Sequence, residues 1–222
     1  MNNRAPTPTA APSEAHRGPL DTDPKRRRFF ESAEGLFQRF GFRKATVEEI
    51  CRGAGMSKRT FYQLFRDKQD LLFQLVEAVM NTRTVAWEAS LPKGLDALAR
   101  LYSLLDLYAS IVRRHPFLKV LVEDLDLMRS LGARTEEIRM SQMGGPFDRI
   151  LEEGVATGQF RPLDRQAALW VVFGILDTGY LLTPAVMNAP GPLEDPVMAE
   201  EIKQFIVRGL GAIDQTNSES EG

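Results

Sequence analysis

Thr46-Val47-Glu48-Glu49-Ile50-Cys51-Arg52-Gly53-Ala54-Gly55-Met56-Ser57-Lys58-Arg59-Thr60-Phe61-Tyr62-Gln63-Leu64-Phe65 is the stretch on which the reading of this chain turns. Thr46 and Glu49 have the spacing of a capping box, in which the hydroxyl accepts from the amide at 49 and the carboxylate reaches back. Val47, Ile50 and Cys51 supply the inner face of the helix so opened. Ala54-Gly55-Met56 reads as a tight turn in which Gly55 takes a positive φ at little steric cost. Ser57 caps a second short helix running to about Phe65, with Phe61 and Phe65 on its inner face. Lys58, Arg59, Tyr62 and Gln63 are left facing outward. Two short helices joined by a glycine turn form a helix-turn-helix pattern.

Upstream, Phe29, Phe30, Ala33, Leu36, Phe37 and Phe40 fall on one face of an amphipathic helix that Gly41 ends. Downstream, Asp67 caps a helix carrying Leu71, Leu72, Leu75, Val76 and Val79. The rest also shows helical spacing. One helix is predicted from Leu95 to Val112, broken by His115-Pro116, and another from Phe117 to Met128. A third opens at Thr135 or Glu136 and ends near Gly154 to Gly158. Asp164 caps a very apolar helix reaching about Leu182, and the last carries Met198, Ile202, Phe205, Ile206, Gly209, Leu210 and Ile213. No strand alternation or internal repeat stands out, so the predicted fold is all-α.

Across 222 residues the chain is 43% hydrophobic and 26% charged, an ordinary globular composition. Its formal charge of −2 hides an uneven spread. Residues 25–70 hold twelve Lys/Arg against six Asp/Glu, a net +6, whereas residues 71–222 carry a net −7. A basic block on an acidic remainder points to a polyanion-binding module joined to a larger body. Pro, Ala and Thr crowd the leader, residues 1–24, which is expected to be disordered, as is the tail 214–222.

Other classes find little support. The leader lacks the apolar core of a secretory signal. The most apolar stretch, Ala167 to Leu176, is ten residues and reads as too short to span a bilayer. Cys51 is the only cysteine, which rules out an intrachain disulfide framework, and the two histidines, His16 and His115, make a histidine metal site improbable. The paired acids Glu48-Glu49, Glu136-Glu137, Glu152-Glu153 and Glu200-Glu201 diverge by about 100° on a helix and form no catalytic pair. Gly53-Ala54-Gly55 lacks the preceding strand and third glycine of a dinucleotide fingerprint. No metal, cofactor or enzyme activity is therefore expected.

The run Gly41 to Ile50, then Ala54-Gly55-Met56-Ser57-Lys58-Arg59-Thr60-Phe61-Tyr62 through Phe65, Asp67-Lys68 and Leu71-Leu72, resembles the DNA-binding domain of the TetR (tetracycline-repressor-like) family. The likeness spans roughly residues 25–75. Cys51 stands where that family usually has Ala, and Leu64 where it often has His or Tyr. The latter leaves Leu64 as apolar base readout or simple packing.

The resemblance implies a three-helix DNA-binding head over residues 25–85, with the helix-turn-helix at 46–65. A helical regulatory and dimerisation body over 86–213 would follow. It implies a cytoplasmic homodimer on a near-palindromic operator of double-stranded DNA, usually a repressor released by a small molecule. Carried over by position, Thr46 and Lys68 would hold phosphates, and Ser57, at the start of the recognition helix, counts among the DNA-binding residues. Lys58, Arg59, Thr60, Tyr62 and Gln63 would supply that helix's contacts. A largely apolar effector pocket is expected among Tyr102, Tyr108, Phe117 and Met128, with Met140, Met143, Trp170 and Phe173. Gly174, Gly179, Phe205, Ile206, Gly209 and Ile213 are candidates for the dimer interface. A ligand-independent regulator, a helical protein-binding adaptor and a helical enzyme are the alternatives.

Overall fold

The computed structural model describes residues 23–124, 126, 127, 129, 130, 134, 137, 140–187 and 189–211. Among these every regular element is helical. Helix α1, Pro24–Lys44, begins with Pro24 at its first position and Asp23 as its N-cap, at the end of the expected leader. Helices α2, Val47–Ala54, and α3, Lys58–Leu64, follow, and then α4, Lys68–Ser90. The capping predictions hold: Thr46 and Glu49 close a full capping box, Ser57 accepts from Thr60 N, and Asp67 accepts from Asp70 N.

What orients α3 is aromatic packing. Phe29 of α1 meets Phe61 edge-on at 5.6 Å and Phe65 at 5.7 Å, and all three rings are fully buried. The turn before α3 depends on two glycines. Gly55 sits at φ 64°, in the left-handed region. Gly53 lies so close to α1 that a Cβ there would come within 2.3 Å of Ser32 Oγ, the hydroxyl that donates to Ile50 O.

Helix α4 carries the chain out of the head, burying Leu71, Leu72, Leu75 and Val76 at one end and Thr84 and Trp87 near the other. Around it stand α5, Ala97–Arg114, a short α6, Val120–Glu123, and α7, Gly145–Ala156. Then come α8, Arg165–Asp177, α9, Thr183–Met187, and α10, Pro196–Gly209. Asp96, Asp164 and Asp195 cap α5, α8 and α10. Phe173 of α8 packs against Tyr108 of α5 and Phe147 of α7 at 6.1 and 5.8 Å, tying the body into one core.

Four expectations need correction. Phe40 is 47% exposed beneath the Arg39 guanidinium, because Gly41 at φ 76° turns the last residues of α1 and lets Phe42 go inward instead. The helix expected from Phe117 to Met128 is broken into a 3-10 turn, Pro116–Lys119, and the single turn of α6. Asp124 stops it by bonding forward to the amides of Asp126 and Leu127, as an N-cap does.

The apolar late helix does not end near Leu182. It runs through a π turn, Thr178–Leu182, into α9, so Arg165–Met187 makes 23 helical residues. That run is long and apolar enough to cross a membrane, so the ten-residue limit is overturned. Leu169, Val172, Phe173 and Leu176 are nevertheless buried, as in a core helix. The expected helix start at Thr135 or Glu136, residues 1–22 of the leader, and the tail lie outside the described residues.

Truncating Phe29 to Ala should cost about 3–5 kcal/mol, the range for a fully buried aromatic. Denaturant unfolding followed by circular dichroism measures it, and a loss below about 1 kcal/mol would show that the ring cluster does not hold α3.

Candidate nucleic-acid interface

Helix α3 has seven residues, too short to persist alone, and its inner anchors leave a polar outer face. Lys58, Arg59, Tyr62 and Gln63 are exposed, and Tyr62 keeps 58% of its surface. Thr60 is half-buried and hydrogen-bonds Ser57 Oγ through both its amide and its hydroxyl, so its polar atoms serve the cap. Leu64 packs against the core, which decides between its two readings in favour of packing. The Thr46 hydroxyl donates to Glu49 Oε2 at 2.8 Å while accepting from Glu49 N.

Lys68 is committed inside the head. Its Nζ donates to Phe42 O at 2.6 Å and Ala45 O at 2.7 Å, and lies 4.2 Å from the Phe42 ring centre. Burial pushes its pKa down, opposed by nearby Asp124. The ammonium thus ties the end of α1 to the start of α4.

The basic block is less free than its net charge suggests. Carboxylates lie within 4.0 Å of Arg26, Arg27, Arg43, Arg52, Lys58 and Arg66. Among the described residues Lys25, Arg28, Arg39, Lys44 and Arg59 have no such partner. Sequence reasoning missed the Arg43 pair, which joins head to body: the guanidinium donates to both oxygens of Asp124, at 2.6 and 2.9 Å, and to Asp126 at 3.3 Å. The Arg43 bonds hold the Asp124 carboxyl well below the usual aspartate range, helped by the amides of Leu127 and Asp126. A separation of 81 residues leaves no local signal for this contact. Nearby, His115 and Glu34 join the same two parts at 2.8 Å.

The expected effector residues stand in different environments. Tyr108, Phe117, Met143 and Phe173 are core residues, while Tyr102 and Met140 are half-buried. Trp170 points outward with 56% of its surface exposed, and Met128 lies outside the described residues. One crevice of about 790 Å³ opens between the α4–α5 loop and the end of α7, lined by Leu91, Pro92, Leu95, Arg100 and Glu153. A groove of about 420 Å³ runs beside Trp170, Gly174, Pro192 and Ile202.

The dimer candidates divide. A Cβ on Gly174 or Gly209 would meet nothing within 4 Å, and Phe205 is 71% exposed. Gly179 is instead pressed against Leu193 of its own chain and Ile206 is buried, so neither is available to a partner. Ile213 lies outside the described residues. Trp170, Val171, Val197 and Met198 extend the outward set.

An aromatic-anchored α3 with a polar outer face, packed behind a capped α2, defines a helix-turn-helix DNA-binding regulator of transcription. Residues 29–75 match bacterial regulatory proteins of the tetR family. The fatty acid metabolism regulator protein of Bacillus subtilis (strain 168) is 26% identical over 74% of this chain and 85% of its own length. The transcriptional repressor KstR2 of Mycolicibacterium smegmatis is 24% identical over 88% of this chain and 93% of its own. The fatty acid degradation regulator FadR from Bacillus halodurans shares the fold, with a TM-score of 0.70 at 22% identity over 86% of this chain and 98% of that one. FadR from Bacillus subtilis, solved with stearoyl-CoA, superposes with a TM-score of 0.65 at 21% identity over 83% and 96%. Residues 29–75 are thus a DNA-binding domain of the tetR type, in a chain whose relatives are DNA-binding transcription regulators.

Because the folded Asp124 pKa lies below its unfolded value near 3.9, the Arg43 pair contributes stability above about pH 4 and loses it as pH falls further. Replacing Arg43 by Ala should therefore lower the urea midpoint by a constant amount at neutral pH, with the gap to wild type closing below about pH 4. A gap that is independent of pH would remove Asp124 from this role.

Proposed function

We propose that the protein is a homodimeric repressor that reads a near-palindromic operator through α3 and lets go when a largely apolar small molecule enters its body. The observation that carries this reading is the outer face of α3. Arg59 and Gln63 are exposed donors suited to guanine and adenine edges, and Tyr62 and Lys58 flank them. Thr46 and Ser57, at the N-termini of α2 and α3, bring backbone amides toward the phosphates. Lys68 acts as a positioning residue, since its ammonium braces the junction of α1 and α4.

Residues 25–85 form the reading head in this proposal and residues 86–213 the regulatory body. Dimerisation uses the outward stripes of α8 and α10, where Gly174 and Gly209 permit close helix approach and Trp170 and Phe205 supply apolar surface. The two α3 helices would then stand about one duplex turn apart, roughly 34–36 Å or a multiple. An apolar effector agrees with the fatty-acid names of the relatives and with stearoyl-CoA in one of them. Such a molecule acts through differential binding: it must prefer a head spacing that does not fit the operator. In this reading the protein works in the cytoplasm, where its operator lies.

Selection from a pool of random duplexes tests the reading directly and should return a near-palindromic site. Arg59→Ala or Gln63→Ala should relax preference at single base positions, while Tyr62→Ala weakens all sequences alike. Lys68→Met should lower thermal stability yet leave the slope of log affinity against log salt unchanged; a slope shallower by about 0.9 would restore a phosphate contact to it. Phe205→Glu should shift the dimer to monomer in sedimentation. Selection without a shared motif would overturn operator reading, and affinity unmoved by long-chain acyl compounds would overturn the effector class.

A further inference from the structure

A carboxylate stands among the cations of the helix-turn-helix surface. Glu48, in the first turn of α2, accepts from Lys58 Nζ at 3.1 Å and stands 3.9 Å from Arg52 Nη2. All three side chains are more than half exposed. Glu48 favours the positive end of α2, but Lys58 opens α3, where a cation opposes the helix dipole. The lysine therefore costs α3 local stability, and the carboxylate of α2 offsets that cost. The Lys58 bond is also the largest influence holding the Glu48 carboxyl below its ordinary range.

Resting on the DNA-reading role of α3, we propose that Glu48 is a specificity-determining residue that restrains Lys58 and Arg52 from sequence-independent binding. An exposed ion pair is weak, so DNA can open it. A bare phosphate merely replaces one anion by another around Lys58 and leaves the Glu48 carboxylate facing the charged backbone. Base edges offer a different exchange. Guanine N7 and O6 are neutral acceptors for Lys58, and the N4 amine of cytosine is a donor for the freed Glu48. The pair is thus broken with compensation only where the bases suit it. Glu48 lowers affinity for arbitrary duplex more than affinity for the proper site.

The test uses the full chain and a random-sequence duplex, with binding followed by fluorescence anisotropy across a salt series. Wild type is compared with Glu48→Gln, Lys58→Met and the double variant. Glu48→Gln should tighten binding to random duplex roughly two- to five-fold. It should also steepen the salt slope by about 0.9 for each cation released. In the Lys58→Met background the same change should have less than half that effect, since only Arg52 remains to be freed. Equal tightening in both backgrounds would reduce Glu48 to a contribution to the general field and overturn the proposal, as would no tightening at all. Glu48→Ala, which removes the acceptor, must agree in direction. Wild type that fails to bind random duplex at low salt would overturn the DNA-reading role itself, and this inference with it.

Discussion

Helix α3 is seven residues long, and a helix of that length has no stability of its own in water. Its existence and its angle both come from Phe61 and Phe65, whose rings close edge-on against Phe29 of α1. The remaining features of the head serve that contact. Gly53 lets α2 approach Ser32 closely enough for α1 to support both short helices, and Gly55 turns the chain without strain. The caps at Thr46, Ser57 and Asp67 satisfy amides that the short helices would otherwise leave unpaired. With the inner face so fixed, the outer residues are presented by a rigid support and not by a fluctuating peptide.

That rigidity matters to the proposed switch, in which the body acts on DNA by moving the head as a unit. Among the links that join them are a helix, an arginine–aspartate pair and the His115–Glu34 contact. Helix α4 is continuous from Lys68 in the head to Ser90 in the body. Beside it, Arg43 holds Asp124, and Asp124 caps the segment that follows α6. The same carboxylate therefore terminates a body helix and grips the end of α1. Lys68, bonded to the carbonyls at that end, places the origin of α4 at the same junction. Asp124 and Lys68 thus bring α1, α4 and the end of α6 to one junction.

Charge is distributed by the same logic of partnership. The net +6 of residues 25–70 suggests a uniformly attractive surface. Folding assigns many of these cations to partners: Arg43 turns to Asp124 of the body, Lys58 to Glu48, and Lys68 keeps its charge but is held on backbone carbonyls. Arg59, at the centre of the outer face of α3, has no carboxylate partner among the described residues. A charge sum along a chain measures the field at a distance, whereas recognition depends on which cations remain unpaired.

The head was legible in the sequence because its determinants are local. Capping boxes, a glycine turn and a four-residue aromatic spacing act within a few residues, so Thr46 through Phe65 reads correctly from composition and order alone. Helical class and the caps at Asp67 and Asp164 follow for the same reason. Tertiary structure alone decided what depends on distant partners. Phe40 faces solvent because Gly41 lets Phe42 take its place, and Lys68 turns inward because the carbonyls of α1 end beside it. Trp170 and Phe205 lie outside the core while Gly179 and Ile206 lie inside it, a division set by the face that each helix turns to its own body. Arg43 and Asp124 stand 81 residues apart and meet only when α1 and α6 pack. Local propensity and spacing determined the reading head; long-range packing decided which of its charges are free and how it is tied to the body.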